Sequence, residues 1–270
     1  MAQFVSSPAD LAPGDAQSAA VDLAAFQIDR IRSVDDPLFA IGYAALWAEF
    51  GAKDEMELRE TLEQRFRLAP RMLYEMVLVR RDGEFVAVRD HTAIVAAGGA
   101  VVHLSHNLVA PKARRSGLAG WLRAWPIQAA RECLAANGAA ADAPVTLLAE
   151  MEYDAADDAA RAIRLRAYER GGFRKIDPAA VPYHQPDFRS FTVIDATGGA
   201  RPLAFQLVVR RVGREGEETI SGREVRELVR ALYAIFAPPF RPADLAHPLL
   251  ALDGYPPDDA VLALLLPTQC

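Results

Sequence analysis

The chain has 270 residues, of which 51% are hydrophobic and 24% charged, with a formal net charge of -6 and two cysteines. That length and apolar content suit one large domain, or a domain plus an extension, with a substantial core. The acidic balance argues against a surface that grips polyanions broadly, so nucleic acid is not an expected partner. Cys133 and Cys270 supply neither a disulfide framework nor a Cys-rich metal site, which fits a reducing cytoplasm and a chemistry without metal.

Residues 1–22, rich in Ser, Ala, Asp and Pro and lacking a basic n-region or a long apolar run, read as a disordered lead-in. Asp36-Pro37 is a helix start, and Phe39, Ala40, Tyr43, Leu46, Trp47 and Phe50 then recur at helical spacing. A second apolar stripe, Met56, Leu58, Leu62 and Phe66, predicts another amphipathic helix, closed by Pro70. The period then changes. Met72 to Arg80 and Glu84 to Ala96 are rich in Val, Ile and aromatic residues around the turn Arg81-Asp82-Gly83, and Ala97-Gly98-Gly99 leads into a third strand, Ala100 to Val109.

From Ser116 to about Ala136 strong helix formers place Leu118, Trp121, Leu122 and Trp125 on one side, with Pro126 expected to kink or shorten the helix. Pro144 to Tyr153 predicts the fourth strand, and Asp157-Asp158 caps a helix lasting until Gly171-Gly172. Further on, Leu203 to Val212 predicts a strand, and Ser221 with Glu224 forms a capping box ahead of an apolar stripe from Val225 to Phe236. Proline-rich Ala237 to Pro257 reads as an ordered loop, and Ala260 to Leu266 as a final strand covering a sheet edge. The last strand is far shorter than the ~20 apolar residues a membrane helix needs, and no membrane partner is expected.

One segment carries a chemical signal. In Val109-Ala110-Pro111-Lys112-Ala113-Arg114-Arg115-Ser116-Gly117-Leu118-Ala119 a strand ends, the chain turns, and a helix begins with small residues. Free amides at a helix N-terminus and the helix dipole favour phosphate there, and Lys112, Arg114 and Arg115 add positive charge in an acidic protein. Standing alone, the pattern is equally a strand-to-helix connection with a solvated basic turn.

In its context the segment resembles the coenzyme A loop of the GCN5-related N-acetyltransferases, V-x-P-x-x-R-x-x-G-x-G/A. Downstream, Ala167-Tyr168-Glu169-Arg170-Gly171-Gly172-Phe173 looks like that family's Y-E-x-x-G-F signature. The resemblance covers roughly Ile28 to Val212. It implies an α/β (α+β) fold whose mixed, mostly antiparallel central sheet splays open at the acyl-CoA site and is flanked by helices. The acyltransferase domain would then span residues 23–213, and residues 214–270 would be a helix-loop-strand extension packed on it. It further implies that backbone at Leu108 and Val109 pairs with the pantetheine, that the Lys112 and Arg114 to Ala119 stretch, including Ser116, Gly117 and Leu118, holds the pyrophosphate, and that Tyr168 stands near the thioester sulfur. A phenol there is a reasonable acid for the leaving thiolate. Arg161 departs from the pattern, replacing an Asn that often contacts the pantetheine.

Amine attack also needs a base or a water relay. Many relatives carry a Glu on the strand before the loop; here that strand has His103, Ser105 and Asn107 on one face and no carboxylate. His103 stands where some relatives carry the Glu. His106 falls on the opposite face if the strand is regular and on the same face if it bulges. Glu150 and Glu152 alternate onto one face of the fourth strand, either to serve an amine or to pair with Arg161, Arg164 and Arg166 of the next helix. Tyr183, His184 and Gln185, between Pro182 and Pro186, are candidates for the acceptor pocket.

The reading is an acyl-CoA-dependent N-acyltransferase that moves acetyl to a primary amine. Alternatives are a longer-chain acyltransferase, with the residues after Val212 as wall or lid of an acyl tunnel, and a non-catalytic coenzyme A-binding sensor. Monomer and homodimer both stay open.

Overall fold

Two turns of the same kind organise the first half of the sheet. In the computed structural model, which describes residues 7–153 and 159–269, Asp82-Gly83 and Ala97-Gly98 both have positive φ at both positions. This is the twist that joins neighbouring antiparallel strands through a two-residue loop. They link β2 (Met72–Arg81), β3 (Glu84–Ala96) and β4 (Gly99–Val109), and β1 (Gln27–Ile31), which the sequence reading passes over, adds to β2. The neighbour of β4 on the other side is β5 (Val145–Met151), in the only parallel pairing between described strands.

Beyond β5 the sheet continues antiparallel through β8 (Leu203–Arg211), β6 (Arg174–Ile176), β10 (Val261–Leu265) and β9 (Thr219–Ser221), with β7 (Tyr183–Gln185) also on β8. The mixed, mostly antiparallel and open sheet of the sequence reading is thus present. The last strand, expected to cover an edge, instead lies between β6 and β9. The stretch from Ala237 to Pro257, expected as a loop, contains helix α7 (Pro242–Leu250), with Pro242 at its first position.

Helices cover both faces. On one face lie α1 (Pro37–Phe50), α2 (Arg59–Phe66) and α6 (Gly222–Phe236), their apolar stripes packed on Tyr74, Met76, Val88 and Ile94. Asp36 accepts from the Leu38 amide at the start of α1, and Ser221 from the Glu224 amide at the start of α6. On the other face are α3 (Leu118–Ala136) and α4 (Ala159–Arg170), while α5 (Phe191–Ala196) is a short turn before β8. Helix α3 runs through Pro126 rather than stopping there. The expected cap at Asp157-Asp158 lies outside the described residues.

The structure overturns the reading of residues 7–22 as disordered. Three short 3-10 turns between Pro8 and Ala25 lie along α3, whose Leu118, Trp121 and Trp125 are therefore buried between the sheet and Leu11, Val21 and Leu23. The Trp121 indole donates to the Ser18 carbonyl at 2.7 Å, and a side chain at Gly120 would stand 2.2 Å from Ser18 Oγ. Asp15 clamps Arg123 through two hydrogen bonds of 2.6 and 2.9 Å, and Asp10 holds Arg131 in the same way. A composition of small and polar residues conceals this because the partners are on α3, more than 100 positions away.

Asp15 and Arg123 are both nearly inaccessible, so removing one partner leaves an uncompensated buried charge. Asp15→Ala is expected to lose about 3–5 kcal/mol in urea unfolding. The double change Asp15→Leu with Arg123→Met should recover most of it.

Candidate functional site

The parallel pairing of β4 and β5 is short. It runs from Ala100 opposite Val145 to His103 opposite Leu148 and then ends, although β4 continues to Val109 and β5 to Met151. Each strand stays bonded on its outer side, β4 to β3 as far as Val109 and β5 to β8 as far as Met151. The two halves of the sheet therefore diverge around a cleft of about 960 Å³, within the range of small-molecule sites.

The basic loop lies at one end of this cleft. Arg114, Arg115, Ser116, Gly117 and Ala119 line it, together with Leu108 and Val109, while Leu118 is buried beneath and Lys112 points away to Glu84 on the surface. Gly117 adopts a φ of 82°, where a side chain is strained, and a Cβ there would also meet Val21 at 2.8 Å. This turn presents the first amides of α3 to the cleft, with Ser116 Oγ 3.4 Å from the Leu118 amide. The N-terminal segment contributes too, since Asp15, Gln17 and Ser18 line the same end.

Tyr168 reaches the cleft from α4 because of how that helix ends. Gly172, at a φ of 76°, lets its own amide bond to the Glu169 carbonyl and lets the Phe173 amide bond to that of Tyr168. This pairing stops helices and brings the flanking apolar side chains together, here Tyr168 edge-on to Phe173 with centroids 4.9 Å apart. Beneath Tyr168 lies Arg89 of β3, fully buried, with no hydrogen-bond partner of good geometry on its three guanidinium nitrogens. Burial lowers its pKa, and the Tyr168 phenol and Asp90 carboxylate counter that pull.

The opposite face holds the histidines. A bulge sets two residues of β4, Leu104 and Ser105, against one of β3, because Thr92 faces His103 while Asp90 faces His106. His103 and His106 consequently share a face, and Asn107 moves to the other, opposite Arg89. His106 Nδ1 is 2.9 Å from Asp90, and its Nε2 is 3.0 Å from the Glu55 carbonyl. With acceptors on both nitrogens the ring must donate twice and is an imidazolium. Burial pulls its pKa down, but Asp90 outweighs this and the net shift is upward. Such a ring has no lone pair for a base.

His103 is built differently. Its Nε2 is 2.9 Å from Glu150, and its Nδ1 is 3.2 Å from Ser105 Oγ. Glu150 also accepts from the Tyr183 hydroxyl at 2.6 Å and, more weakly, from Gln185. Glu150 and Glu152 thus part company: the first joins His103, the second pairs with Arg164 at the cleft rim. Of the three residues expected at the acceptor pocket only Gln185 lines the cleft: Tyr183 is buried behind Glu150, and His184 alternates away from both and faces His247.

The extension supports this face from behind: Phe236 packs edge-on against His103, and Tyr233 stacks on Tyr183. Among the described residues none after Phe205 lines the cleft. Sequence reasoning also misses Glu57, which lines the cleft, is fully buried and pairs with Arg65. A Glu in a short charged linker gives no sign of this. Among the described residues no cluster of His, Cys, Asp or Glu could hold a metal ion, and no helix is long and apolar enough to cross a membrane.

Arg114 and Arg115 line the cleft at the loop, where Arg123 is already paired with Asp15, and Glu55 and Glu150 line it near the histidines, where Glu152 is paired with Arg164 and Glu57 with Arg65. The basic loop can therefore meet a polyanion.

No family model and no curated protein matches the sequence. Solved structures of acetyltransferases are similar to it. One is a GNAT family acetyltransferase from Elizabethkingia anophelis with acetyl-CoA bound, 15% identical over 69% of this chain and 98% of its own, with a TM-score of 0.41. Another is an IAA acetyltransferase from Bacillus cereus, 13% identical over 69% of this chain and 99% of its own, with a TM-score of 0.40. A third is a GNAT family acetyltransferase from Streptococcus pneumoniae, 12% identical over 70% and 99% of the two chains, with a TM-score of 0.38. Likenesses this loose decide no chemistry.

Burial pushes the Glu57 carboxyl from 4.5 up to about 7, against the pull of Arg65. A raised acid pKa means that the folded state holds a proton the unfolded chain has lost, so this contribution is complete below pH 4.5 and vanishes as pH rises through about 7. In urea titrations Glu57→Gln should shrink the fall of stability over that window by about one proton's worth.

Proposed function

We infer that the chain transfers an acyl group, in its simplest form acetyl, from coenzyme A to a primary amine by direct attack within a ternary complex. One observation carries the reading. Where β4 and β5 part, a basic helix N-terminus and a carboxylate-held histidine lie at opposite ends of a single cleft. A donor with a pyrophosphate fits the first end. From Leu104 to Val109 the edge of β4 turned away from β3 has no strand beside it and is available to an extended, amide-bearing arm, as pantetheine is.

Chemistry at the junction needs an acid and a base. Tyr168, at the donor side, supplies a hydroxyl for the departing thiolate, and His103 with Glu150 supplies a proton acceptor for the amine. The missing strand carboxylate, which would favour a sensor, is made good by Glu150 from the neighbouring strand. Glu55 also lines the cleft, half-buried, and burial and Glu152 raise its pKa, which makes its carboxylate a better proton acceptor than an exposed one.

Calorimetry with acetyl-CoA tests the donor assignment: absence of binding would sink it. Arg114→Ala combined with Arg115→Asn, the latter tolerant of the φ of 67° at that position, should weaken binding about tenfold and flatten its dependence on salt. Tyr168→Phe should leave affinity nearly intact and slow turnover by about a hundredfold. Unchanged turnover would remove Tyr168 from the mechanism.

A further inference from the structure

His103 cannot itself receive a substrate proton without first giving up a contact. Its side chain is 3% exposed, and both ring nitrogens are occupied. With Glu150 ionised and held by Tyr183 and Gln185, a neutral His103 donates to it from Nε2. In that tautomer Nδ1 keeps its lone pair and accepts from the Ser105 hydroxyl. The chain then runs Ser105 O–H to His103 Nδ1, His103 Nε2–H to Glu150, Tyr183 O–H to Glu150.

Ser105 is the open end of that chain. All three residues border the cleft, but Ser105 is partly exposed whereas the His103 and Glu150 side chains are nearly inaccessible. The bulge creates this arrangement, because Ser105 is one of two residues set against a single residue of β3, just past the last pairing with β5.

We propose that Ser105 is the catalytic residue that takes the proton of the acceptor amine and passes its own to His103, whose imidazolium Glu150 then stabilises. This rests on the acyltransferase reading and names the residue through which its base acts. The balance is simple. The neutral amine nitrogen bonds to the thioester carbonyl carbon, and its proton moves to Ser105 Oγ as the Ser105 proton moves to Nδ1. The carbon–sulfur bond breaks, and the thiolate takes a proton from Tyr168. His103 returns its proton to solvent, and Tyr168 regains one. No acyl group rests on the protein.

The experiment uses the full chain, acetyl-CoA and a panel of primary amines, and reads CoA release. Ser105→Ala is expected to lower kcat by about a hundredfold with the calorimetric affinity for acetyl-CoA and the KM of the amine unchanged. Ser105→Thr, which keeps the hydroxyl, should recover most of the rate. His103→Gln combined with Ser105→Ala should fall no further than either alone, because the two act as one unit. The proton inventory in mixed H2O and D2O should curve in the wild type, with two protons in flight, and become linear in Ser105→Ala. A Ser105→Ala variant as fast as wild type overturns the relay while leaving the acyltransferase reading intact; loss of acetyl-CoA binding by the wild-type chain defeats that reading instead. Intact-mass measurement after acetyl-CoA alone should show no adduct. An acetyl group on Ser105 overturns the relay in favour of a covalent nucleophile.

Discussion

Everything in this molecule depends on one interrupted pairing. β4 and β5 share hydrogen bonds over four residues each and then separate, because β4 remains bound to β3 and β5 to β8. Each strand is anchored by its antiparallel neighbour, and the parallel contact between them is the weaker kind per residue. The natural twist of the two half-sheets then opens the gap. Backbone groups left along β4 must find partners in water or in a ligand, so the break in the sheet is itself a binding surface.

The break also divides the chemistry between two faces. Helices α3 and α4 bring the basic loop and Tyr168 to the face where Arg89 of β3 is buried; α1, α2 and α6 enclose His103, His106, Glu57 and Glu150 on the other. Burying so many charged groups is costly, and several are held by a specific partner: Asp90 for His106, Arg65 for Glu57, Asp15 for Arg123. Such pairs add little net stability compared with apolar packing, but they tolerate few alternative arrangements. They make the region around the cleft a place where a small displacement leaves a charge unpaired.

Much of the architecture was legible from short-range patterns. The hairpin at Asp82-Gly83 announced itself because only a few residue types accept two positive φ angles, and the helix after Gly117 because small residues and a change of period coincide there. The α4 terminus at Gly171-Gly172-Phe173 carried its stop signal in the same way, and with it the placement of Tyr168. Less legible was the segment from Pro8 to Ala25, whose Asp10, Asp15 and Ser18 look like solvated residues until α3 supplies their partners. The short strands after Phe173 were missed for a related reason: three residues show no period, and their pairing with β8 and β10 is entirely long-range.

The division is clearest at the site. Sequence alone determined that a basic, glycine-containing turn opens a helix after a strand, and that Tyr168 ends another helix, because both rest on contacts within a few residues. Tertiary structure decided which carboxylate serves which histidine. Glu150 and Glu152 are equivalent by alternation, yet Glu150 meets His103 from 47 positions away, and Glu152 meets Arg164. The bulge that puts His103, Ser105 and His106 on one face leaves no mark in the residue pattern, since it is a matter of register between β3 and β4. A shift of one residue reverses the side every later residue faces, and only the paired strand fixes that choice.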